Sequence, residues 1–370
     1  MNTEKRLRVV VCGTNFGRIY MKAISRLRDQ FVLVGILARG SDNSAECAKK
    51  YNVQLYTSVD QLPFNDIDVA CVVVKASVIG GQGTKIATEL LQRGIHVIQE
   101  QPVHLDELIT CMKLARQSDC CYYVNSFYHN VEPVRKFICT ARKALQKTEA
   151  IYIDAACSII VLFPLLDILG RLLGGFRPWS FQCDRNCLNK KTLVLICGHI
   201  SGVPLTMRVQ NQIDPDTPDN SAFFLHRIEL CTNSGSLILT DTHGAVLWNP
   251  RMYVPINKDG VLEMFSADSN SDLSITELVR SFDSKPMDAI FNTLWPESIE
   301  LTLQQFRQSL VSEKRDPNLN QYLLTLCKVW QDIGREIGPP EIISSERVRP
   351  LSLDNIQFTK KENGDGKHDK

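Results

Sequence analysis

The chain has 370 residues, a formal net charge of +1, and a composition of 44% hydrophobic and 22% charged residues. This composition excludes a fibrous or largely disordered chain, and the length favours two domains with full cores. The near-neutral charge gives no overall field that would favour nucleic acid or an anionic membrane. The longest apolar stretch, near residues 159–173, contains Pro164, Asp167 and Arg171 and is too short and too polar to span a bilayer.

The thirteen cysteines predict reduced thiols rather than a disulfide framework. Their number is odd, no C-x-x-C pair occurs, and the N-terminal segment shows no secretory signal, so we expect a cytoplasmic protein. Cys183 lies close to Cys187, and Cys120 is next to Cys121. Neither pair has further ligands at zinc spacing, and no metal site is predicted.

The segment VVVCGTNFGRIY at residues 9–20 predicts a strand, a glycine turn and a helix in direct succession. This order is typical of a dinucleotide-binding fold, in which G-x-G-x-x-G lets a pyrophosphate approach the backbone N–H groups. Aligned on Gly17, the three glycine positions carry Cys12, Thr14 and Gly17, with Gly13 displaced by one. Taken alone, the turn is equally compatible with a plain strand-to-helix connection.

The end of the second predicted strand, residues 31–37, bears on the choice of cofactor. An acidic residue at this point holds the ribose 2′-hydroxyl of NAD and repels a 2′-phosphate. Here Ala38 is followed by Arg39, Gly40 and Ser41. Because a guanidinium and a hydroxyl suit a phosphate, the sequence favours NADPH over NADH; an ordinary solvated turn is the alternative.

Strand and helix continue to alternate until about residue 127. An apolar run at 68–74 is followed by the turn GGQG at 80–83 and a helix at 84–93. The strand HVIQ then leads to the triplet EQP at 100–102, a helix at 105–118 and the strand CYYVNSF. Such alternation predicts an α/β Rossmann domain with a doubly wound parallel sheet.

The second half of the chain is rich in predicted strands and ends in helices. The segment LTMRVQNQI at 205–213 alternates apolar and polar residues, as expected for a sheet with one covered and one wet face. Residues 236–248 predict a hairpin, and residues 295–338 have helical spacing. We therefore expect a Rossmann domain at 1–130, a substrate domain at 131–350 and a disordered tail at 351–370.

These features resemble the glucose–fructose oxidoreductase and inositol dehydrogenase family. The family marker Glu-Lys-Pro corresponds to Glu100, Gln101 and Pro102, so glutamine stands where lysine is expected. In the run SIIVLFPLLDILGRLLGG, Pro164 stands where the family has a catalytic histidine. The resemblance implies a second, α+β domain built on a large, mostly antiparallel open sheet, with the last helices packed back on the first domain. It also implies that both groups that take a proton from a sugar hydroxyl are missing.

The loss of both groups argues against alcohol oxidation, because a glutamine amide does not titrate and proline has no side-chain proton. Two interpretations remain. One is a reductase whose substrate needs a proton delivered, and the other is a family member that binds NADPH without catalysis. A sugar or cyclitol dehydrogenase would explain the fold but not the missing base.

Segments spread over both halves resemble the thiazolinyl imine reductases of siderophore assembly lines: CGTNFGRIY, VIGGQGTKIATELLQRGIHVIQEQPVH, PLTMRVQNQIDPDTPDN, LHRIELCTNSGSLILTDTHGAVLWNP and LCKVWQDIGREIGPPEII. This resemblance implies NADPH-dependent reduction of one thiazoline C=N bond to a thiazolidine. It further implies that the substrate is held by a thioester on a carrier domain of a nonribosomal peptide synthetase.

Relatives form dimers through the outer face of the second sheet and bind substrate at one end of it. Arg208, Asn211 and His226 belong to the predicted strand region. Each could reach a carrier or a bound thiazoline, although solvated sheet residues are the simpler interpretation. The predicted partners are thus a second copy of the chain and a carrier domain, with no nucleic acid or membrane.

Reduction of an imine requires hydride on carbon and a proton on nitrogen, so the acid must lie at the carboxyl end of the parallel sheet. Tyr128 and His129 follow the sixth strand, and a phenol with an ordinary pKa of about 10 is protonated at neutral pH. Tyr128 is the first candidate for the donor and His129 the second. Adjacent strand residues point to opposite faces, so at most one faces the substrate. The alternatives are packing at the domain hinge for Tyr128 and satisfying backbone groups for His129.

Glu100 and Gln101 complete the predicted catalytic set. Glu100 would orient the nicotinamide amide or a water, or be a buried structural carboxylate, and Gln101 would hydrogen-bond the substrate without transferring a proton. His104 is expected to cap the next helix. The predicted cofactor site comprises Gly13, Thr14, Asn15, Phe16, Gly17, Ala38, Arg39, Gly40, Ser41, Lys75, Gly81, Gln82, Glu100 and Pro102.

Overall fold

The computed structural model describes residues 5–76, 81–184, 192–264, 272–279, 284–311, 317–344 and 350–356. Gly80 of the predicted glycine turn, Cys187 and residues 357–370 of the predicted tail lie outside the described residues. Over the ranges given, no helix combines the length and apolarity needed to cross a bilayer.

The first half of the chain forms a parallel sheet flanked by helices. Its elements are β1 (Leu7–Cys12), α1 (Gly17–Arg26), β2 (Phe31–Leu37), α2 (Asp42–Tyr51), β3 (Gln54–Tyr56), β4 (Val69–Val72), α3 (Gly83–Gln92), β5 (His96–Glu100), α4 (Leu105–Gln117) and β6 (Tyr122–Asn125). The strand order is β3-β2-β1-β4-β5-β6 with parallel pairing throughout. All four residues of β4 are buried, as in a sheet covered on both faces. The predicted doubly wound sheet is confirmed.

The second half forms a larger sheet and two long helices. Its elements are α5 (Glu132–Leu145), β7 (Ala150–Ser158), α6 (Leu162–Leu173), β8 (Trp179–Asp184), β9 (Leu193–Ile200), β10 (Val203–Gln210), β11 (Gln212–Ile213), β12 (His226–Thr232), β13 (Gly235–Leu239), β14 (Val246–Pro250), β15 (Glu277–Leu278), α7 (Trp295–Val311), α8 (Pro317–Ile337) and β16 (Glu341–Ile342). The order of the eight-stranded sheet is β15-β14-β13-β12-β7-β10-β9-β8. Only its β7–β10 pair is parallel, so the mostly antiparallel sheet expected from the resemblance is confirmed.

Strand β10 shows why one face of this sheet is covered. Leu205, Met207 and Val209 are buried and alternate with the half-buried Thr206 and the exposed Arg208. Because side chains alternate between the two faces of a strand, the apolar residues share the inner face. The other face carries polar residues.

The strand order of the parallel sheet reverses at β1, which has β2 on one side and β4 on the other. In open sheets of this kind, ligands bind outside the carboxyl ends of the strands at the point of reversal. Helix α7 returns to this part of the molecule and packs against α1. Arg26 of α1 pairs with Glu300 of α7 at 3.0 Å, and Lys22 donates a 2.7 Å hydrogen bond to Asn292 just before α7. The domain boundaries at residues 130 and 350 stay predictions.

Candidate nucleotide and substrate site

The turn between β1 and α1 requires glycine at two positions. Gly13 has φ +100°, and a Cβ there would lie 2.4 Å from the carbonyl oxygen of Val73. A Cβ on Gly17 would already contact Val11 Cγ1 at 3.1 Å, tighter than usual, so glycine lets the helix approach β1. The tight turn at Gly13 and the close helix–strand packing at Gly17 are two of the three roles of the glycines in a dinucleotide-binding motif. The spacing of the two glycines differs from that of the usual motif.

The N-terminus of α1 opens at the carboxyl edge of the sheet. Phe16 precedes the helix and makes no side-chain capping bond. The N–H groups of Arg18 and Ile19 donate to Asn15 O at 3.3 Å and Phe16 O at 2.9 Å, and no described acceptor is recorded for the Gly17 N–H. Thr14 is nearly buried in this turn, whereas Asn15 is exposed. The Gly17 N–H and the positive end of the helix dipole suit a pyrophosphate, and the residues present therefore fit a dinucleotide.

The segment after β2 is open to solvent. Ala38 is half-buried, whereas Arg39, Gly40 and Ser41 are exposed. Gly40 has φ +82°, and the Ser41 hydroxyl caps α2 by accepting from Ser44 N at 3.4 Å. Within the described ranges the structure records no partner for the Arg39 guanidinium, which is thus placed to meet an anion at the end of β2.

The third predicted cofactor segment lies between β4 and α3. Lys75 is exposed, and its carbonyl oxygen accepts from Gly83 N at 2.9 Å. A Cβ on Gly81 would lie 2.1 Å from that same oxygen, so the close approach of the chain requires glycine. Gln82 precedes α3 without a side-chain capping bond and is exposed.

Glu100, at the end of β5, belongs to a hydrogen-bonded group of three side chains. The Tyr20 hydroxyl donates to Glu100 Oε2, and Asn125 Nδ2 donates to the same oxygen at 3.3 Å and to the Tyr20 hydroxyl at 2.7 Å. Burial raises the pKa of Glu100 to about 8, although the two hydrogen bonds act in the opposite direction. The Glu100 carboxyl therefore carries its proton at neutral pH.

Gln101 stands beside this group in a fixed backbone position. Its N–H donates to Asn125 O at 3.1 Å, and its peptide bond to Pro102 is cis. The Gln101 amide oxygen is buried, and no described residue donates to it. His104, after the proline, caps α4 and forms a capping box with Glu107, which confirms its predicted role.

Tyr128 lies in an aromatic cluster between the two halves of the chain. Its ring centroid is 4.8 Å from that of Phe127, 4.9 Å from that of His226 and 6.4 Å from that of Trp295. Phe16 of the glycine turn joins the cluster, at 5.1 Å from Phe127 and 5.5 Å from Trp295. Burial raises the pKa of the Tyr128 phenol well above its usual value, with a smaller contribution from the charge of Asp219. The phenol stays protonated across the neutral range.

His129 points into a different, buried group. Its Nδ1 lies 2.8 Å from Ser126 Oγ and 3.2 Å from Asp167 Oδ2, and Arg171 Nε donates to that same carboxylate oxygen at 2.8 Å. Burial lowers the pKa of His129, and the charge of Arg171 adds to the effect. The structure thus brings Tyr128, Phe16 and the Glu100 group to the carboxyl edge, whereas the His129 ring packs against Asp167.

Two residues of the second sheet that were expected to be solvated are buried. His226 is fully buried, and its Nε2 lies 3.1 Å from Val161 O; burial lowers its pKa to about 3, so the ring is neutral and Nε2 donates. Asn211 is 7% exposed and donates to Pro339 O at 3.2 Å. These two predictions were wrong, whereas Arg208 is exposed and pairs with Asp154 at 2.8 Å.

Several residues of the site could not be assigned to it from the sequence around them. Trp295 donates from Nε1 to His243 Nε2 at 3.0 Å, and burial lowers the pKa of His243 to about 4, so this imidazole is a neutral acceptor. Tyr20 and Asn125 lie 80 and 25 residues from Glu100 along the chain. Only the helical phase of Tyr20, three residues after Gly17, would have placed it near the turn.

Two family descriptions match the chain, one for each half. Residues 7–126 match "Oxidoreductase family, NAD-binding Rossmann fold". Residues 148–249 match "Thiazolinyl imine reductase Irp3-like, C-terminal". No protein with a curated description matches the chain.

Solved structures share the whole fold at low sequence identity. An oxidoreductase from Agrobacterium radiobacter in complex with NAD+, L-tartaric acid and magnesium is 13% identical, covers 90% of this chain and 96% of its own, and has a TM-score of 0.62. A biliverdin reductase from Synechocystis sp. PCC 6803, in complex with biliverdin and NADP+, is 14% identical with coverages of 90% and 98% and a TM-score of 0.59. A levoglucosan dehydrogenase with NADH and levoglucosan is 11% identical, with coverages of 90% and 97% and a TM-score of 0.64. Identities this low show the fold alone.

The raised pKa of Glu100 predicts a pH-dependent stability difference between the wild type and Glu100→Gln. Between pH 4.5, the ordinary pKa, and about pH 8, the folded wild type holds a proton that the unfolded chain has released. The contribution of Glu100 to the stability of the wild type therefore falls through this window as pH rises. The glutamine variant has no carboxyl at this position and does not show this fall. We expect the unfolding free energy of the variant, relative to wild type, to increase by up to about 4 kcal/mol from pH 4.5 to pH 8.

Urea unfolding at both pH values measures this difference. Glu46→Gln on the exposed face of α2 serves as the control, because its side chain lies in solvent. A difference between Glu100→Gln and wild type that stays constant over the window would contradict a neutral carboxyl at Glu100.

Proposed function

We propose that this chain, whose residues 7–126 match an oxidoreductase family with an NAD-binding Rossmann fold, reduces a thiazoline C=N bond to a thiazolidine with NADPH. The observation that carries the proposal is the set of side chains at the carboxyl edge of the parallel sheet, where Tyr128 and the Glu100 group lie. Tyr128 and Glu100 both hold protons at neutral pH, while Gln101 and Pro164 stand where the resemblance places the base for alcohol oxidation. The match of residues 148–249 to a thiazolinyl imine reductase domain supports the same substrate class.

The chain's own residues would hold the cofactor along the carboxyl edge of the sheet. The start of α1, beyond Gly13, would hold the pyrophosphate. Arg39 would hold the 2′-phosphate through a charge-assisted hydrogen bond, and Ser41 would add a hydroxyl. When bound, NADPH supplies a hydride to the imine carbon.

Tyr128 supplies the proton in this mechanism. With a hydride added at carbon, the C=N π electron pair takes the phenolic proton, so new C–H and N–H bonds replace the π bond, the C–N single bond remains and Tyr128 is left as a phenolate. The phenol is then restored from water. A phenol with an ordinary pKa of about 10 is already protonated at neutral pH, so Tyr128 holds its proton before the reaction, and the aromatic rings of Phe127 and Trp295 pack beside it.

The partners follow from the same proposal. The substrate is carried as a thioester on the carrier domain of a nonribosomal peptide synthetase in siderophore biosynthesis, and the chain acts as a homodimer in the cytoplasm. The twelve described cysteines are all reduced, in agreement with a reducing compartment.

Turnover of a soluble 2-aryl-thiazoline by the wild type, Tyr128→Phe and His129→Asn tests the function. We expect the wild type to oxidise NADPH with this substrate, and Tyr128→Phe to lower kcat by about 100-fold or more while still binding NADPH. His129→Asn should retain more turnover, because the imidazole packs against Asp167. The measurement is NADPH absorbance, with NADPH affinity followed by fluorescence.

A panel of sugars and cyclitols with NADP+ is the counter-experiment. Rapid NADP+ reduction with a polyol, without thiazoline turnover, would favour a dehydrogenase. NADPH binding without any turnover would favour a nucleotide sensor. An active Tyr128→Phe beside an inactive His129→Asn would move the proton donor to the imidazole.

Arg39→Asp tests the choice of nucleotide. The exchange removes the charge-assisted bond to the 2′-phosphate and adds a repelling carboxylate, so we expect the KM for NADPH to rise by about 10- to 100-fold. The KM for NADH should fall or stay unchanged, because its free ribose hydroxyl can donate to the new carboxylate. Steady-state kinetics with both nucleotides measure this, and an unchanged KM for NADPH would reject the role of Arg39.

A further inference from the structure

The backbone just before Tyr128 adopts a conformation that side-chain-bearing residues rarely take. Phe127 has φ +65° and ψ −61°, and Tyr128 N donates to Ser126 O at 2.7 Å. This three-residue ring is the positive-φ form of the γ-turn, which is uncommon and strained. A bulky residue at this φ persists only where the surroundings enforce it.

Contacts from both sides hold Phe127 in this conformation. Its N–H donates to Asn125 Oδ1 at 3.0 Å, from the end of β6. Its carbonyl oxygen accepts from Ser298 Oγ at 2.9 Å, from α7, and Ser298 is fully buried. The peptide groups on both sides of the strained residue are therefore bonded to side chains.

The residues that flank the turn are fixed as well. The Ser126 hydroxyl donates to Asp167 Oδ2 on α6, where the His129 ring also lies. On the far side, Asn130 Nδ2 donates to Thr302 Oγ1 of α7 at 3.0 Å. Three elements, β6, α6 and α7, thus converge on six consecutive residues of the turn region.

Tyr128 alone in this region leaves its polar group uncommitted. Neighbouring side chains at 125, 126, 129 and 130 are each hydrogen-bonded to another part of the chain, whereas the structure records no described partner for the Tyr128 hydroxyl. The strained backbone at Phe127 therefore directly precedes Tyr128, whose phenol has no recorded partner among the described residues and can bind a ligand.

We propose that the Phe127 γ-turn aims the Tyr128 phenol at the substrate, and that Ser298 and Asp167 are positioning residues for the proton transfer. This inference rests on the proposed function, in which Tyr128 is the donor. Ser298 acts through the Phe127 carbonyl and Asp167 through Ser126 and His129. Neither residue contacts the reacting atoms, so their effect should disappear once the phenol is gone.

A double-mutant cycle with Ser298→Ala and Tyr128→Phe tests the positioning role. We expect Ser298→Ala to lower kcat for the thiazoline by about 10-fold in the wild-type background and by less than about 2-fold in the Tyr128→Phe background. The KM for NADPH should stay within about 2-fold in both. Ser25→Ala is the matched control, because the Ser25 hydroxyl bonds only the Lys22 carbonyl of its own helix, and it should change neither constant.

Equal losses from Ser298→Ala in both backgrounds, or no loss in the wild type, would overturn the proposal. Asp167→Asn gives a second route if Ser298→Ala does not fold, with the same pattern expected. Thermal unfolding of each variant separates loss of structure from loss of turnover.

A spectroscopic measurement keeps this inference separate from the proposed function. In protein labelled with ¹³C at tyrosine Cζ, comparison with Tyr128→Phe assigns the Tyr128 resonance. We expect Ser298→Ala to move that resonance and Ser25→Ala to leave it in place. If the wild type reduces no thiazoline, the function fails while this readout still stands; an unmoved resonance in Ser298→Ala rejects the positioning role by itself.

Discussion

The buried carboxylate of Asp167 is the interaction on which the junction between the two halves depends. It accepts hydrogen bonds from Ser126, from Arg171 Nε at 2.8 Å and from the Tyr322 hydroxyl at 2.7 Å, with His129 Nδ1 at 3.2 Å. Burial alone would raise the pKa of Asp167, but the charge of Arg171 and the hydrogen bonds from His129 and Arg171 hold it well below its usual value. Removing one partner of such a buried pair costs about 3–5 kcal/mol, because the other charge is left uncompensated.

The Asp167 carboxylate links helix α6 to the turn that carries the proposed proton donor, Tyr128. Asp167 lies on α6 of the second half, yet its donors include the turn that leaves β6 of the first half. The same turn presents Tyr128 to the crevice, while Tyr20 and Asn125 hold one oxygen of a neutral Glu100 nearby. The Tyr128 phenol and the Glu100 carboxyl hold protons in this crevice, which suits delivery of a proton, and Gln101 and Pro164 stand where the resemblance places the base for alcohol oxidation. The direction of the proposed reaction follows from this difference.

Local patterns in the sequence were enough for the architecture. The apolar runs of β1 and β4 and the cap at His104 each depend on neighbours within a few residues, so periodicity and capping chemistry predict them. His226 could have been placed correctly by the same means. It is in phase with Ile228 and Leu230, which are buried on β12, so alternation alone assigns it to the inner face.

The details of the candidate site could not be predicted, because they are contacts between distant parts of the chain. Tyr20 meets Glu100, and Ser298 meets the Phe127 carbonyl across 171 residues. Hydrophobic periodicity and capping rules do not predict such pairs. The positive φ of Phe127 could not be predicted either, because the residue at that position is not glycine or asparagine, the usual residues at positive φ. The pairing of His129 with Asp167 likewise becomes visible only when α6 packs against the turn.

Transfer of deuterium from NADPH labelled at nicotinamide C4 to a 2-aryl-thiazoline tests the proposed chemistry most directly. Mass spectrometry and NMR of the product locate the label. The mechanism predicts a thiazolidine with one deuterium on the former imine carbon and a solvent-derived hydrogen on nitrogen. A thiazolidine without deuterium, or label that leaves the nucleotide only when a carbonyl or polyol substrate is supplied, would contradict it.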